Sequence, residues 1–147
     1  MTVHLLKLSV GAATIDELAQ WHASRIALRL AQGQSAHAEH RTFQTPKRQS
    51  ELLAGGSLYW VIKGIIQVRQ PIVGFEAGVK YDGSVCCLIL LDPALVPVRP
   101  TPRRAFQGWR YLAATDAPPD VGSAADAAAL ARLSPKMRRD LAELGLL

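Results

Sequence analysis

Residues 55–75 carry the clearest alternation of hydrophobic and polar positions in the chain. Leu58, Trp60 and Ile62 interleave with Tyr59, Val61 and Lys63, and Ile66 and Val68 interleave with Gln67 and Arg69. This period of two is that of half-buried strands. Gly55 and Gly56 turn the chain in, Gly64 bends it, and Pro71 argues against a central-strand place near the far end. The spacing predicts two strands folded back on each other about Gly64.

Upstream, residues 3–10 are apolar and β-compatible, and Gly11 closes them. Thr14-Ile-Asp-Glu17 matches a capping box, in which hydroxyl and carboxylate each satisfy an orphan amide at a helix start. The helix it opens is predicted to run to about Gln32 and to stop at Gly33. Leu18, Trp21, Arg25 and Leu28 share one stripe, flanked by Ile15, His22 and Ile26, which predicts Trp21 in the core. Residues 34–44 are polar and read as a solvated loop, with His37 and His40 exposed and titrating near the ordinary imidazole value. Thr45-Pro46-Lys47-Arg48 follows, then a short amphipathic turn over 49–53.

Downstream, Asp82-Gly83 is a hairpin signal between residues 79–81 and 84–91. The run 85–91 is apolar on both faces and is predicted to be the most deeply buried strand. Residues 95–101 are extended, but Pro97, Pro100 and Pro102 restrict them to an edge or a surface-hugging loop. Residues 115–120 read as a linker. Beyond it the composition shifts to alanine, with one helix over 124–133 and a second, with Ser134 as N-cap and Pro135 at its first position, reaching 144. Met137, Leu141 and Leu144 make an apolar stripe on that second helix. Lys136, Arg138 and Arg139 oppose its dipole, so the helix is expected to dock on the core or on another subunit. The predicted class is α+β: a β core over residues 1–114, with the linker and C-terminal helices of 115–147 packed on the same domain.

Length and charge sharpen this picture. At 147 residues and 49% hydrophobic, the chain suits one domain burying roughly two-thirds of its unfolded surface. No run approaches the ~18 uncharged apolar residues that a membrane helix needs, and Lys7 interrupts the apolar start. The expectation is a cytoplasmic protein with no membrane partner. The net charge is +5, and residues 41–110 hold ten Lys and Arg against four acids, so the β core is the basic part. Such a bias favours polyanions through counterion release, or serves solubility alone.

Residues 102–112 add a second signal, because Arg103, Arg104 and Arg110 alternate with Phe106, Trp109 and Tyr111. Guanidinium groups there hold phosphates while rings stack on bases, or the rings plug the core while the arginines sit in water. Lys47 and Arg48, just before the central strands, are placed to bind an anion or to form a solvent-facing turn.

Most enzyme classes lose their usual evidence. The chain has no Walker loop, dinucleotide fingerprint, nucleophile elbow or Cys-x-x-Cys pattern, and its acids form no close pair for glycoside or two-metal chemistry. His37 and His40 stand three apart without a third ligand beside them, and the adjacent Cys86 and Cys87 point to opposite faces of a strand. No metal and no cofactor is expected.

Two resemblances add to this reading. The segments Gly55-Gly-Ser-Leu-Tyr-Trp-Val-Ile-Lys-Gly64 and Phe106-Gln-Gly-Trp-Arg-Tyr-Leu112, with Pro46-Lys-Arg48, Arg69-Gln70 and Ala117-Pro-Pro-Asp120, resemble a small bacterial family of domains of unknown function. More distantly, residues 52–66 followed by Pro71-Ile-Val-Gly-Phe-Glu76 are similar to the PUA-like superfamily with its ASCH and EVE domains. That resemblance implies a PUA-like β-barrel flanked by an N-terminal helix and a C-terminal helical tail, with a cleft for RNA or a modified nucleotide. It makes Lys47, Arg48, Tyr59, Lys63, Arg69, Trp109 and Arg110 the candidate ligand-binding residues, acting without catalysis. An amidohydrolase on a modified nucleoside is the alternative it implies, with Thr45, Lys47 and Glu76 nearest in residue type but different in order and spacing. A module dimerising through the C-terminal helix is the third reading.

Overall fold

The alternation about Gly64 folds as expected. In a computed structural model, which describes residues 2–9, 12–34, 37–79, 82–104, 106 and 108–121, strand β3 (Ser57–Ile62) turns back into β4 (Ile65–Val79). Lys63 and Gly64 both take positive φ, 52° and 79°, a two-residue turn whose twist matches that of the flanking strands. Gly56, just ahead of β3, has a tighter requirement. A Cβ there would stand 2.3 Å from the Leu52 carbonyl oxygen and 2.5 Å from that of Val3, so only glycine fits without moving backbone.

The remaining strands are β1 (Val3–Leu8), β2 (Ala38–Thr42), β5 (Val85–Leu91), β6 (Val96–Pro102) and β7 (Trp109–Ala113). They form a mixed seven-stranded sheet in the order β2-β5-β4-β3-β1-β7, with β6 also on β4. β1 and β3 pair in parallel and the other pairs are antiparallel. The described pairings do not join β2 to β7, so what is seen is an α+β sheet without closure into a barrel. The expected helices of 124–133 and 134–144 lie outside the described residues.

Helix α1 (Ile15–Ala31) starts where the capping box places it. The Thr14 hydroxyl accepts from the Glu17 amide at 3.1 Å, and the Glu17 carboxylate accepts from the Ala13 amide at 2.6 Å. It ends in a Schellman arrangement: Gly33 has φ 75°, the Gln34 amide reaches the Arg29 carbonyl at 2.8 Å and the Gly33 amide that of Leu30 at 3.1 Å. The buried face, however, is the one predicted to flank the stripe. Ile15, Leu18, His22, Ile26 and Arg29 turn inward, whereas Trp21 is 41% exposed and Leu28 is exposed too. Two polar side chains lie inside: Arg29 meets a carboxylate on β2, whereas both ring nitrogens of His22 are buried without a hydrogen-bond partner among the described residues. Arg29 donates to the Glu39 carboxylate at 2.6 Å, and His22 lies against the Trp60 ring. Hydropathy alone ranks Trp above His and so turns the helix the wrong way.

Three further expectations change. The polar stretch 34–44 contains β2, which buries Ala38 and Thr42 and turns His40 inward, because pairing with β5 satisfies its backbone without large apolar residues. The most buried strand is β3, all six of whose residues are buried, while Val85 at the start of β5 is 72% exposed. β3 divides two cores. Leu58, Trp60 and Ile62 join Leu5, Leu18, Val68, Ile72, Ile89 and Leu91 on one face. Tyr59 and Val61 join Leu6, Ile66, Val98 and Leu112 on the other. Finally, Pro71 does sit inside a strand paired on both edges. It falls in the interval where the partner of β4 changes from β5, ending at Leu91 opposite Ile72, to β6, starting at Val96 opposite Arg69, so no ladder donor is required of it. The Pro71 carbonyl accepts from the Asp92 amide at 2.9 Å. The hairpin at Gly83 (φ 88°) is as expected, with Asp82 Oδ1 accepting from the Ser84 amide at 2.9 Å.

Candidate functional site

The seven sequence candidates fall in four places. Lys47 and Arg48 lie on a strap, residues 43–48, that crosses β7. The Tyr111 hydroxyl accepts from both of their amides, at 3.0 and 3.1 Å, and the Trp109 indole N–H donates to the Gln44 carbonyl at 2.7 Å. Alternation along β7 puts Trp109 and Tyr111 on one face, with their rings 4.8 Å apart edge to face. Trp109 is buried in the first core, so it anchors the strap. The Arg48 guanidinium covers the Tyr111 ring at 5.2 Å and is ion-paired with Glu51. Both side chains of that pair stand in water.

Arg69 and Tyr59 belong to a second cluster. The Arg69 guanidinium binds both carboxylate oxygens of Asp120 at 2.8 Å and the Ser57 hydroxyl at 2.9 Å. The Ser57 amide donates to His4 Nδ1 at 3.0 Å, and the His4 ring meets Tyr59 edge-on at 5.1 Å. Burial, then the Arg69 charge, lowers the His4 pKa; burial raises that of Tyr59; the Arg69 hydrogen bonds lower that of Asp120. This is a self-satisfied network in which the Arg69 charge already has its counterion.

Lys63 stands in the exposed turn after β3. Its neighbour Gly64 accepts from the Arg103 amide at 2.9 Å, which brings the turn beside the end of β6. Next to it, Pro102, Arg103, Arg104, Phe106 and Arg110 line a hollow of about 430 Å3. The Arg110 guanidinium lies 5.7 Å from the centre of the Phe106 ring. Arg103, Arg104 and Arg110 are exposed, and no acid is among the described residues lining the hollow. Arg110 is the only one of the seven candidates in it. Arg103, Arg104 and Phe106 were legible as part of the arginine and aromatic alternation, but only the fold shows that they converge.

No sequence signal pointed to the interior imidazoles. His22 and His40 are both desolvated against Trp60, with ring centres 5.9 and 5.3 Å from it. Burial, assisted by Arg25 for His22 and by Lys7, His22 and Arg25 for His40, lowers each pKa to about 4. The expected exposed imidazole at position 40 is therefore replaced by a neutral, interior one. Among the described residues no group of three or more His, Cys, Asp or Glu could hold a metal ion. The Thr45 side chain bonds the Cys87 thiol, and no described hydrogen bond or ion pair joins Thr45, Lys47 and Glu76.

A family model described as a protein of unknown function, DUF1489, matches residues 5–147. The chain belongs to this family. No curated protein and no solved structure matches it. Among the described residues, no helix is long and apolar enough to cross a membrane.

Proposed function

We propose that this member of the DUF1489 family is a non-catalytic RNA-binding or nucleotide-binding protein whose contact surface centres on Arg103, Arg104, Phe106 and Arg110. One observation carries the reading: three guanidinium groups and one aromatic ring line the same hollow of about 430 Å3, with no carboxylate among the described residues around it. Guanidinium groups hold phosphate oxygens in bidentate fashion, and an aromatic face accepts a base without regard to its identity. The turn at Lys63 extends the basic edge, and Lys47 and Arg48 on their strap are further candidates for backbone contacts. A PUA-like pseudobarrel and a cytoplasmic location go with this reading; the early helix after β1 and the hairpin about Gly64 support the former. Hydrolysis by Thr45, Lys47 and Glu76 takes second place because no described contact joins them. Dimerisation through the C-terminal helix concerns residues outside those described.

Binding of single-stranded RNA oligomers measured across a salt series tests the proposal. Three phosphate contacts predict that log K falls against log salt with a slope of about −2. The double substitution Arg103→Ala with Arg104→Ala is expected to flatten that slope and weaken binding by about tenfold or more. Absence of binding at low salt, or an unchanged slope in the variant, refutes it.

A further inference from the structure

A different hollow, of about 440 Å3, opens where α1 packs over β3, with Glu17, Gln20, Trp21, Ser24, His40 and Trp60 among its walls. A smaller one of about 220 Å3 adjoins it, lined by Trp21, Arg25, Glu39, His40 and Arg41. The two share Trp21 and His40. Three features of this double hollow suit a ligand rather than a packing defect. His40 Nε2 is buried without a hydrogen-bond partner among the described residues, an unusual state for a polar atom in a native protein. Trp21 keeps a large ring at the rim, where Arg25 holds it from 4.7 Å, while Trp60 forms the interior wall. In the smaller hollow, Glu39 is already neutralised by Arg29 at 2.6 Å, whereas Arg25 and Arg41 have no ion pair among the described residues.

We propose that the adjoining hollows form one binding site for a small, flat heteroaromatic anion, whose ring packs against Trp21 and Trp60, whose ring heteroatom or N–H meets His40 Nε2, and whose carboxylate or phosphate is held by Arg25 and Arg41. Indole walls select a flat, polarizable body. The orphan imidazole nitrogen selects a ring that carries a polar atom, since a pure hydrocarbon leaves it unpaired. The arginine pair selects negative charge at one end. The acid of the larger hollow, Glu17, is turned to the helix cap, where its carboxylate accepts from the Ala13 amide at 2.6 Å. The larger hollow, about 440 Å3, is by itself in the range of ordinary small-molecule sites. His40 stays neutral above about pH 4, so it acts as a polar contact without a charge of its own.

Tryptophan fluorescence of the intact chain, titrated with quinoline-2-carboxylate and with adenosine 5′-monophosphate, tests the site, with acetate and inorganic phosphate in parallel. At least one aromatic anion is expected to saturate with Kd below about 1 mM while the two small anions do not. Saturation by the carboxylate points to free aromatic acids, and saturation by the nucleotide alone to phosphate-bearing ligands. Arg25→Ala, Trp21→Ala and His40→Phe are each expected to weaken binding by about tenfold, with circular dichroism checking the fold; Arg25 and Trp21 lie outside the core. Arg103→Ala with Arg104→Ala is expected to leave the affinity for quinoline-2-carboxylate unchanged, which separates this site from the RNA-binding or nucleotide-binding surface. Failure of both probes to saturate, or retained affinity in folded Arg25→Ala and Trp21→Ala variants, overturns the proposal.

Discussion

The guanidinium of Arg69 grips the carboxylate of Asp120 through two parallel hydrogen bonds, Nε to Oδ1 and Nη2 to Oδ2, each 2.8 Å. The contact ties the segment after β7 to the middle of the sheet across 51 residues of chain. The Val98 and Asp120 bridge and the Arg99 amide on the Pro119 carbonyl, at 2.8 Å, continue the same seam. The Asp120 side chain is 47% exposed, which limits the value of the pair. Asp120→Asn is expected to cost about 1 kcal/mol. The Asp120 pKa is depressed in the fold, so its contribution is present above about pH 4 and is lost as pH falls through the folded value. A urea series comparing the variant with the parent at pH 7 and near pH 3 checks both points: the gap between them should narrow in acid, and a gap that does not narrow contradicts the assignment.

The interior imidazoles set a different pH window. Both pKa values lie near 4, below the ordinary imidazole value, so between about pH 6.5 and about pH 4 the unfolded chain binds more protons than the folded one. Stability is therefore full above about pH 6.5 and falls towards pH 4, by about 1.4 kcal/mol for each unit of depression. His4, lowered by burial and Arg69, acts in the same direction. Unfolding midpoints measured at intervals from pH 7 to 4.5 are expected to decline steadily, and His22→Phe should reduce that decline. A flat profile would show that the imidazoles are charged or hydrated in the fold.

The strap over β7 depends on one hydroxyl. Tyr111→Phe removes the acceptor of the Lys47 and Arg48 amides, both at exposed residues, so water replaces it and the expected cost is about 1 kcal/mol. Hydrogen exchange at those two amides is expected to accelerate while exchange within β3 stays unchanged. Equal protection in parent and variant would mean that the strap is held by Trp109 and Gln44 instead.

Two glycines make a paired test of backbone space. Gly56→Ala sets a methyl group 2.3 Å from a carbonyl oxygen of α2 (Gln49–Leu53) and 2.5 Å from one of β1, and neither can yield without moving backbone. Gly33→Ala meets nothing within 4 Å among the described residues and bears the strain of φ 75°. The expected losses are about 3 kcal/mol or more for the first and about 1 kcal/mol for the second, read from denaturant midpoints. Similar losses at both positions would contradict the crowding seen at Gly56.

The elements legible in the sequence are those whose cause is local. The turn at Lys63 and Gly64, the capping box from Thr14 to Glu17, the helix stop at Gly33 and the hairpin at Gly83 each depend on residues within a few positions of one another. The run 103–110 was visible as a composition of arginine and aromatic residues for the same reason. The sequence could not say that Arg103, Arg104, Phe106 and Arg110 share a hollow, while Tyr59 is buried and Arg69 is spent on Asp120.

By itself, then, the order of residues determined the turn at Lys63 and Gly64, the hairpin at Gly83 and both ends of α1, the basic bias of the β core and the absence of the common catalytic motifs. The tertiary structure alone decided which face of α1 is buried, that 38–42 is a strand with His40 turned inward, and which cations keep a carboxylate. The physical reason is distance along the chain. Arg29 is stable inside because Glu39 waits on β2, and His22 faces Trp60 from 38 positions away, so their burial is set by partners that no local pattern contains.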